Sequence, residues 1–284
     1  MTGPRSVLVV GADGMIGHAL AGRLRADGVE VRGTSRRKGS TAGDLYLDLA
    51  RPETWPDPPP TDAAVLCAAV ARLADCERDP HSSRRVNVEG CVELVRRLVG
   101  RGAFAVFLSS DKVFDGTTPR RARDDPPSPV TEYGRQKAEA EAGVLAAGGA
   151  VLRLSKVLAP DVGIVARWRA NLARGEPVTP FKDMWLAPVP CRLVVETIRH
   201  VIAARRPGLY QLSGAEDRSY ADLAFRLADL LGADPGLVRP IAAPVPPLHR
   251  PRFTTLDMSL EAELWDLAPP AFEDTLAEMA GSAG

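Results

Sequence analysis

The chain has 284 residues, enough to bury a full core as one large domain or two joined ones. Its 36 lysines and arginines balance 36 aspartates and glutamates, so no net charge draws it to nucleic acid or to an anionic membrane. No apolar run reaches transmembrane length and no signal-peptide core precedes the first apolar run, which predicts a cytoplasmic protein with no membrane partner.

Ser6-Val7-Leu8-Val9-Val10 is short, apolar and rich in β-branched residues, the pattern of a buried parallel strand. It runs into Gly11-Ala12-Asp13-Gly14-Met15-Ile16-Gly17, after which Ala19, Leu20 and Leu24 recur at helical spacing. Strand, glycine-rich turn and helix start make a phosphate-binding corner. Gly11 permits the tight turn, Gly14 lets the backbone approach a pyrophosphate, and Gly17 lets helix and strand pack closely. The spacing is G-x-x-G-x-x-G, one residue wider than the commonest dinucleotide fingerprint.

Residues 29–34 predict a second strand, ending in Thr34-Ser35-Arg36-Arg37-Lys38. An Asp or Glu at such a strand end bonds a ribose 2′-hydroxyl, whereas Arg accommodates a 2′-phosphate. No acid stands there in the sequence, so Ser35, Arg36 and Arg37 predict a site that prefers NADPH to NADH. Residues 44–49, from Asp44, predict a third strand, the prolines of 55–60 a loop, and residues 63–67 a fourth strand. A long helical segment runs through Asn87 to Val99. Strands over 104–109 and 151–154 flank a helix over 131–145. This alternation predicts a doubly wound parallel sheet of the Rossmann type. Beyond Pro160 the rhythm loosens: helices are expected over 164–173, 192–203 and 220–231, a strand over 208–212, and a proline-rich extended connection over 240–251.

Tyr133 and Lys137 lie four residues apart in the helix after the fifth strand and so share a face. A free Tyr has a pKa near ~10, and a neighbouring cation is expected to stabilise tyrosinate and bring it toward the working range. The fifth strand ends in two hydroxyls, Ser109 and Ser110, at the edge where ligands of open α/β sheets gather. Cys67, Cys76, Cys91 and Cys191 lack metal-ligand spacing, and His18, His81, His200 and His249 form no metal motif, so free thiols and no metal are expected.

Together these signals resemble the extended short-chain dehydrogenase/reductase family. Within it, Ser110-Asp111-Lys112-Val113-Phe114-Asp115-Gly116 and the segment from Pro129 to Glu141 are similar to the dTDP-4-dehydrorhamnose reductase branch. The resemblance implies an oxidoreductase that reduces a keto group, at C4, on a nucleotide-activated deoxysugar. It assigns Tyr133 as general acid, Lys137 as the cation that tunes it and holds the nicotinamide ribose, Ser110 as the hydroxyl polarising the carbonyl, and Asn87 as support for the Lys. Gly11, Asp13, Gly14, Met15, Ile16 and Gly17 would belong to the cofactor-binding site, as would Ser35, Arg36, Arg37, Tyr133 and Lys137. Asp48 and Leu49 would touch its adenine, Ala68 and Ala69 would wall it, and Ser110, Asp111 and Lys112 would face the sugar. Arg120 and Arg121, with Lys112, are candidates to meet a diphosphate. The layout implied is a dinucleotide-binding domain over 1–159 and 188–212, with a smaller carboxyl-terminal substrate lobe over 160–187 and 213–284. A homodimer is compatible with the family.

Departures narrow the chemistry. The nucleotide-sugar dehydratases pair an Asp with a Glu where this chain has Asp111 followed by Lys112, and the epimerase-reductases place a Cys where Asp111 stands. Many reductases of the branch carry an aromatic residue at the Lys112 position. A 4-epimerase needs little beyond Ser, Tyr, Lys and NAD. A non-catalytic regulatory subunit like that of methionine adenosyltransferase also resembles this branch.

Overall fold

The computed structural model describes residues 3–37, 45–244 and 250–281; Lys38, Asp44, His249 and part of the proline-rich connection, named above, lie outside them. In chain order the first elements are β1 (Ser6–Val10), α1 (Met15–Ala26), β2 (Glu30–Ser35), β3 (Leu45–Tyr46), β4 (Ala63–Leu66), α2 (Leu73–Arg78) and α3 (Pro80–Arg84). A π turn (Arg85–Gly90), α4 (Cys91–Gly100), β5 (Phe104–Ser110), α5 (Glu132–Ala146) and β6 (Ala150–Leu154) follow. Then come β7 (Lys156–Leu158), α6 (Gly163–Ala173), β8 (Trp185–Leu186), β9 (Pro188–Pro190), α7 (Cys191–Ala204) and β10 (Gly208–Leu212). The last are β11 (Arg218–Ser219), α8 (Tyr220–Leu230), α9 (Ser259–Trp265) and α10 (Phe272–Gly281).

Among the described residues, seven strands form one sheet in the order β10-β6-β5-β4-β1-β2-β3. β1 runs parallel to both β2 and β4, and β4 runs parallel to β5. Every residue of β4 is buried, as expected of a strand covered by helices on both faces. The chain steps from β1 to β2 to β3 on one side, then returns to place β4 on the other side of β1. That reversal opens a crevice at the carboxyl ends of β1 and β4. Leu8, Leu66, Val95, Leu98, Phe107 and Val144 are among the side chains of the core beneath it, each worth about 1.5–3 kcal/mol when fully removed from water.

Two expectations need correction. The third strand is only Leu45–Tyr46 among the described residues. The Asp48 carboxylate accepts from Ala50 N at 3.0 Å and turns the chain away from the sheet. The helix through Asn87 is not continuous α: a π turn spans Arg85–Gly90 before α4 begins, and Asn87 is committed to bonds outside the helix, described below.

The chain divides into two compact units. The first comprises Met1–Phe114, Pro126–Arg153 and Arg192–Tyr210, the second Asp115–Asp125, Leu154–Cys191 and Gln211–Gly284. In the second, β7 pairs in parallel with β9 and β11 pairs antiparallel with β8. Ser219 and Asp222 start α8 with a reciprocal capping box. Trp168, Leu172, Leu223, Leu227, Leu276 and Met279 pack as its core.

Candidate active site

The glycine turn occupies the crevice beside β1. Gly11 has φ +83°, and a Cβ there would meet the Cβ of Ala68 at 2.8 Å, so only glycine fits between the two strand ends. Gly17 stands behind the turn, where a Cβ would land on the Gly11 carbonyl. Gly14 caps α1 without a side-chain bond, which leaves the first amides of the helix to a ligand, and Met15 and Ile16, both half-buried, open its first turn. The turn borders a cavity of 220 Å³ whose walls include Asp13, Ser35, Arg36, Arg37, Asp48, Leu49, Cys67, Ala68 and Ala69. Bare helix amides, a glycine cradle and a flat alanine wall fit a dinucleotide.

The end of β2 holds a carboxylate after all. Ser35 Oγ donates to Asp13 Oδ2 at 3.1 Å and accepts from Arg37 N at 2.9 Å, while Arg37 Nε lies 3.5 Å from the same Asp13 oxygen. The acid reaches this corner from the glycine turn rather than from the strand, which is why inspection of residues 34–38 alone finds none.

At the end of β5 the two hydroxyls part. Ser109 is buried and donates to Glu141 Oε1 at 2.6 Å. Ser110 is half-buried and donates to Asp111 Oδ1 at 2.9 Å, while accepting from Lys112 N at 3.3 Å. The Asp111 carboxylate also receives Lys112 Nζ at 2.5 Å. Facing this turn is α5, started by Thr131, whose side chain accepts from Gly134 N at 3.1 Å. A Cβ on Gly134 would land on the Lys112 carbonyl, so this glycine lets α5 seat directly on the turn that carries Ser110.

Lys137, buried, donates to Leu108 O at 2.8 Å and sits 4.2 Å from the centroid of the Phe107 ring. Its ammonium is 5.8 Å from the Tyr133 ring centroid. Burial drives the Lys137 pKa down, opposed by the Cys91 sulfur where it ionises and by the Glu141 carboxylate. Burial also pushes the Tyr133 phenol well above its ordinary value, helped by the Asp111 charge, while hydrogen bonding to Ser110 pulls the other way. The expectation that Lys137 brings the phenol toward neutrality is not met here: burial shifts it the other way.

Asn87 does not reach Lys137 directly. Its Oδ1 accepts from Val70 N at 2.8 Å, and its Nδ2 donates to Val70 O at 3.0 Å and to Gln136 Oε1 at 2.8 Å. Gln136 in turn donates to Ser83 Oγ at 2.8 Å and Glu132 Oε1 at 3.0 Å. The amide pair thus pins the loop after β4, which carries Ala68 and Ala69, to the helix that carries Tyr133. Gln136 and Gly134 escaped the reading of the sequence; their one signal was a polar and a helix-weakening residue between Tyr133 and Lys137. Arg121 Nε donates to Asp125 Oδ2 at 2.8 Å. Among the described residues no cluster of metal-ligating side chains occurs, no helix is long and apolar enough to cross a membrane, and no disulfide joins the cysteines.

Comparison with known proteins places this geometry in context. Residues 5–283 match the model of the RmlD substrate binding domain. A dTDP-4-keto-6-deoxy-D-glucose reductase of Streptomyces niveus is 31% identical over 271 residues, covering 88% of this chain and 87% of that protein. The methionine adenosyltransferase 2 subunit beta of Bos taurus is 29% identical over 273 residues, covering 90% of this chain and 81% of that one. The structure of dTDP-4-dehydrorhamnose reductase from Bacillus anthracis in complex with NADP superposes with a TM-score of 0.82 at 19% identity, over 98% of each chain.

Proposed function

The chain belongs to the RmlD substrate binding domain family, a nucleotide-sugar reductase family, and on that premise we propose that it reduces the C4 keto group of a nucleotide-activated deoxysugar, taking its hydride from NADPH in preference to NADH. The observation that carries the reading is the meeting of Ser110, Tyr133 and Lys137 at the carboxyl edge of β5, in the same unit as the glycine cradle. The absence of a Glu after Asp111 argues against dehydration.

Gly11, Gly14 and the first amides of α1 would hold the pyrophosphate, Asp48 and Leu49 the adenine side, and Arg36 and Arg37 a 2′-phosphate. When bound, the cofactor supplies the hydride to the carbonyl carbon. Tyr133 gives its phenolic proton to the carbonyl oxygen as that oxygen gains charge. Ser110 has one hydroxyl proton, now directed to Asp111; turned to the substrate oxygen, it polarises the carbonyl. Lys137, fixed by Leu108 O and the Phe107 ring, favours the tyrosinate left behind. Asp111 holds Lys112 beside the sugar position.

The carboxyl-terminal segments over 160–187 and 213–284 are assigned the substrate lobe. Supporting this, the second unit has a cavity of 390 Å³ lined by Trp168, Phe181 and Tyr220, suited to a base, with Arg167 in its wall. The test is a panel of keto-deoxysugar nucleotides, including dTDP-4-keto-6-deoxyglucose and its C5 epimer, incubated with NADPH. Oxidation of NADPH with a product mass gain of two hydrogens supports the proposal. Tight cofactor binding without turnover across the panel favours instead a binding subunit, the reading that likeness to the methionine adenosyltransferase subunit motivates.

A further inference from the structure

Glu141 and Arg153 form an ion pair that no proton or hydride step uses. Their side chains are 4% and 2% exposed, with Arg153 Nη2 2.7 Å from Glu141 Oε2. Arg153 Nε adds a second contact at 3.0 Å to Oε1, the oxygen that Ser109 Oγ also bonds at 2.6 Å. The guanidinium carbon lies 4.9 Å from the centroid of the Phe114 ring. Three elements are thereby joined at one carboxylate: β5 through Ser109, α5 through Glu141 and β6 through Arg153.

Their places in the sequence give this joint its meaning. Ser109 immediately precedes Ser110, and alternate strand residues face opposite ways, so holding Ser109 inward turns Ser110 outward. Tyr133, Lys137 and Glu141 follow one another at four-residue steps along one stripe of α5. Fixing Glu141 therefore fixes both the rotation of α5 about its axis and its position along β5. Burial opposes retention of such a pair, because two apolar side chains of similar volume would avoid the cost of leaving water. What a bidentate guanidinium–carboxylate contact supplies instead is direction, since its planar fork accepts one geometry. The Glu141 charge also bears on Lys137, where it opposes the downward pull of burial.

We propose that Ser109, Glu141 and Arg153 are positioning residues for the reaction, setting α5 against β5 so that Tyr133, Lys137 and Ser110 converge on one substrate atom. This rests on the reductase reading above. The main test is the double variant Glu141→Leu/Arg153→Met, which replaces the pair with apolar groups. The expected result is a melting temperature within a few degrees of wild type and NADPH affinity and KM within about threefold, with kcat lowered by about 10²-fold, the scale of a misplacement near 1 Å. A folded double variant with kcat within threefold of wild type overturns the proposal and leaves the pair a structural device. If the double variant does not fold, Ser109→Ala leaves the ion pair intact and frees only β5. It should lose about tenfold in kcat at unchanged KM, and unchanged kcat overturns the proposal. Should the wild-type protein reduce nothing in the panel, the reductase reading falls separately. Positioning is then read from the ¹³Cζ resonance of labelled Tyr133, assigned by its loss in Tyr133→Phe. A shifted or broadened resonance in the Ser109→Ala variant supports the proposal, and an unmoved one overturns it.

Discussion

Asp13 of the glycine turn and Ser35 at the end of β2 share a hydrogen bond of 3.1 Å across 22 residues of sequence. A carboxylate thus stands in the corner where Arg36 and Arg37 would receive a 2′-phosphate, and it lies 3.5 Å from the Arg37 guanidinium. The proposed preference for NADPH would be a balance between two cations and one anion. Asp13→Asn should raise NADPH affinity by about tenfold while changing NADH affinity little, a fraction of the few kcal/mol that close like charges cost at a partly exposed site. Arg36→Ala/Arg37→Ala should weaken NADPH selectively. Fluorescence titration with each cofactor reads both effects, and equal loss of both cofactors in the Arg variant sinks the assignment.

Replacing Tyr133 by Phe removes the proton donor while the ring still packs. Turnover should fall by about 10²–10⁴-fold, with the NADPH dissociation constant within about twofold of wild type. Near-normal turnover would show that the proton comes from elsewhere.

Lys137 carries its charge into a buried setting, and the consequence for stability has a definite sign. Its pKa in the folded protein lies below the ordinary 10.5 because of burial. Above 10.5 folded and unfolded chains are both deprotonated and the penalty is absent; it grows as pH falls toward the folded value and is complete below it. Lys137→Met should therefore be inactive yet melt higher than wild type near neutrality, with the advantage shrinking as pH rises toward 10.5. Thermal melts of both proteins across that range check it. A constant difference at every pH would mean that the ammonium is not what costs stability.

Gly134 admits no side chain without moving the Lys112 carbonyl. Gly134→Ala should destabilise the protein by about 1–3 kcal/mol, as overpacking does. It should also push the Ser110–Lys112 turn away from α5, lowering kcat more than it weakens cofactor binding. Denaturant melts and steady-state kinetics on the same sample separate the two effects.

The parallel strands were legible because a strand buried on both faces is written as a near-continuous apolar run, here of Val, Leu, Ala and Phe, and the tight turn because Gly11 and Gly17 admit no side chain. That Tyr133 and Lys137 share a helix face was legible from their spacing; their role as a pair rested on the glycine turn and the Ser110 strand end as well. The direction of the Tyr133 pKa was not, since desolvation depends on what packs around the phenol rather than on its neighbours in sequence. Asp13 with Ser35, and Glu141 with Arg153, join side chains on different elements, and no local pattern announces such pairs. The π turn at Arg85–Gly90 reads Arg-Val-Asn-Val-Glu-Gly, a weak helix former with no pattern peculiar to a π turn; bonds from Asn87 to Val70 and Gln136 mark it. The two-residue strands of the second unit are too short for alternation to register.

Cys67 lines the cavity beside the glycine turn and is half-buried, whereas Cys76, Cys91 and Cys191 are buried. Burial pushes the thiols of Cys91 and Cys191 up to about 11 and raises that of Cys76, which keeps them unreactive at neutral pH. The native protein therefore carries a built-in occupancy gauge. A mild alkylating agent should label Cys67 ahead of the other three, and a nucleotide that fills the cavity should slow that labelling. Its site can then be followed by intact-protein mass in a crude mixture, without a substrate, a coupled reaction or knowledge of the sugar.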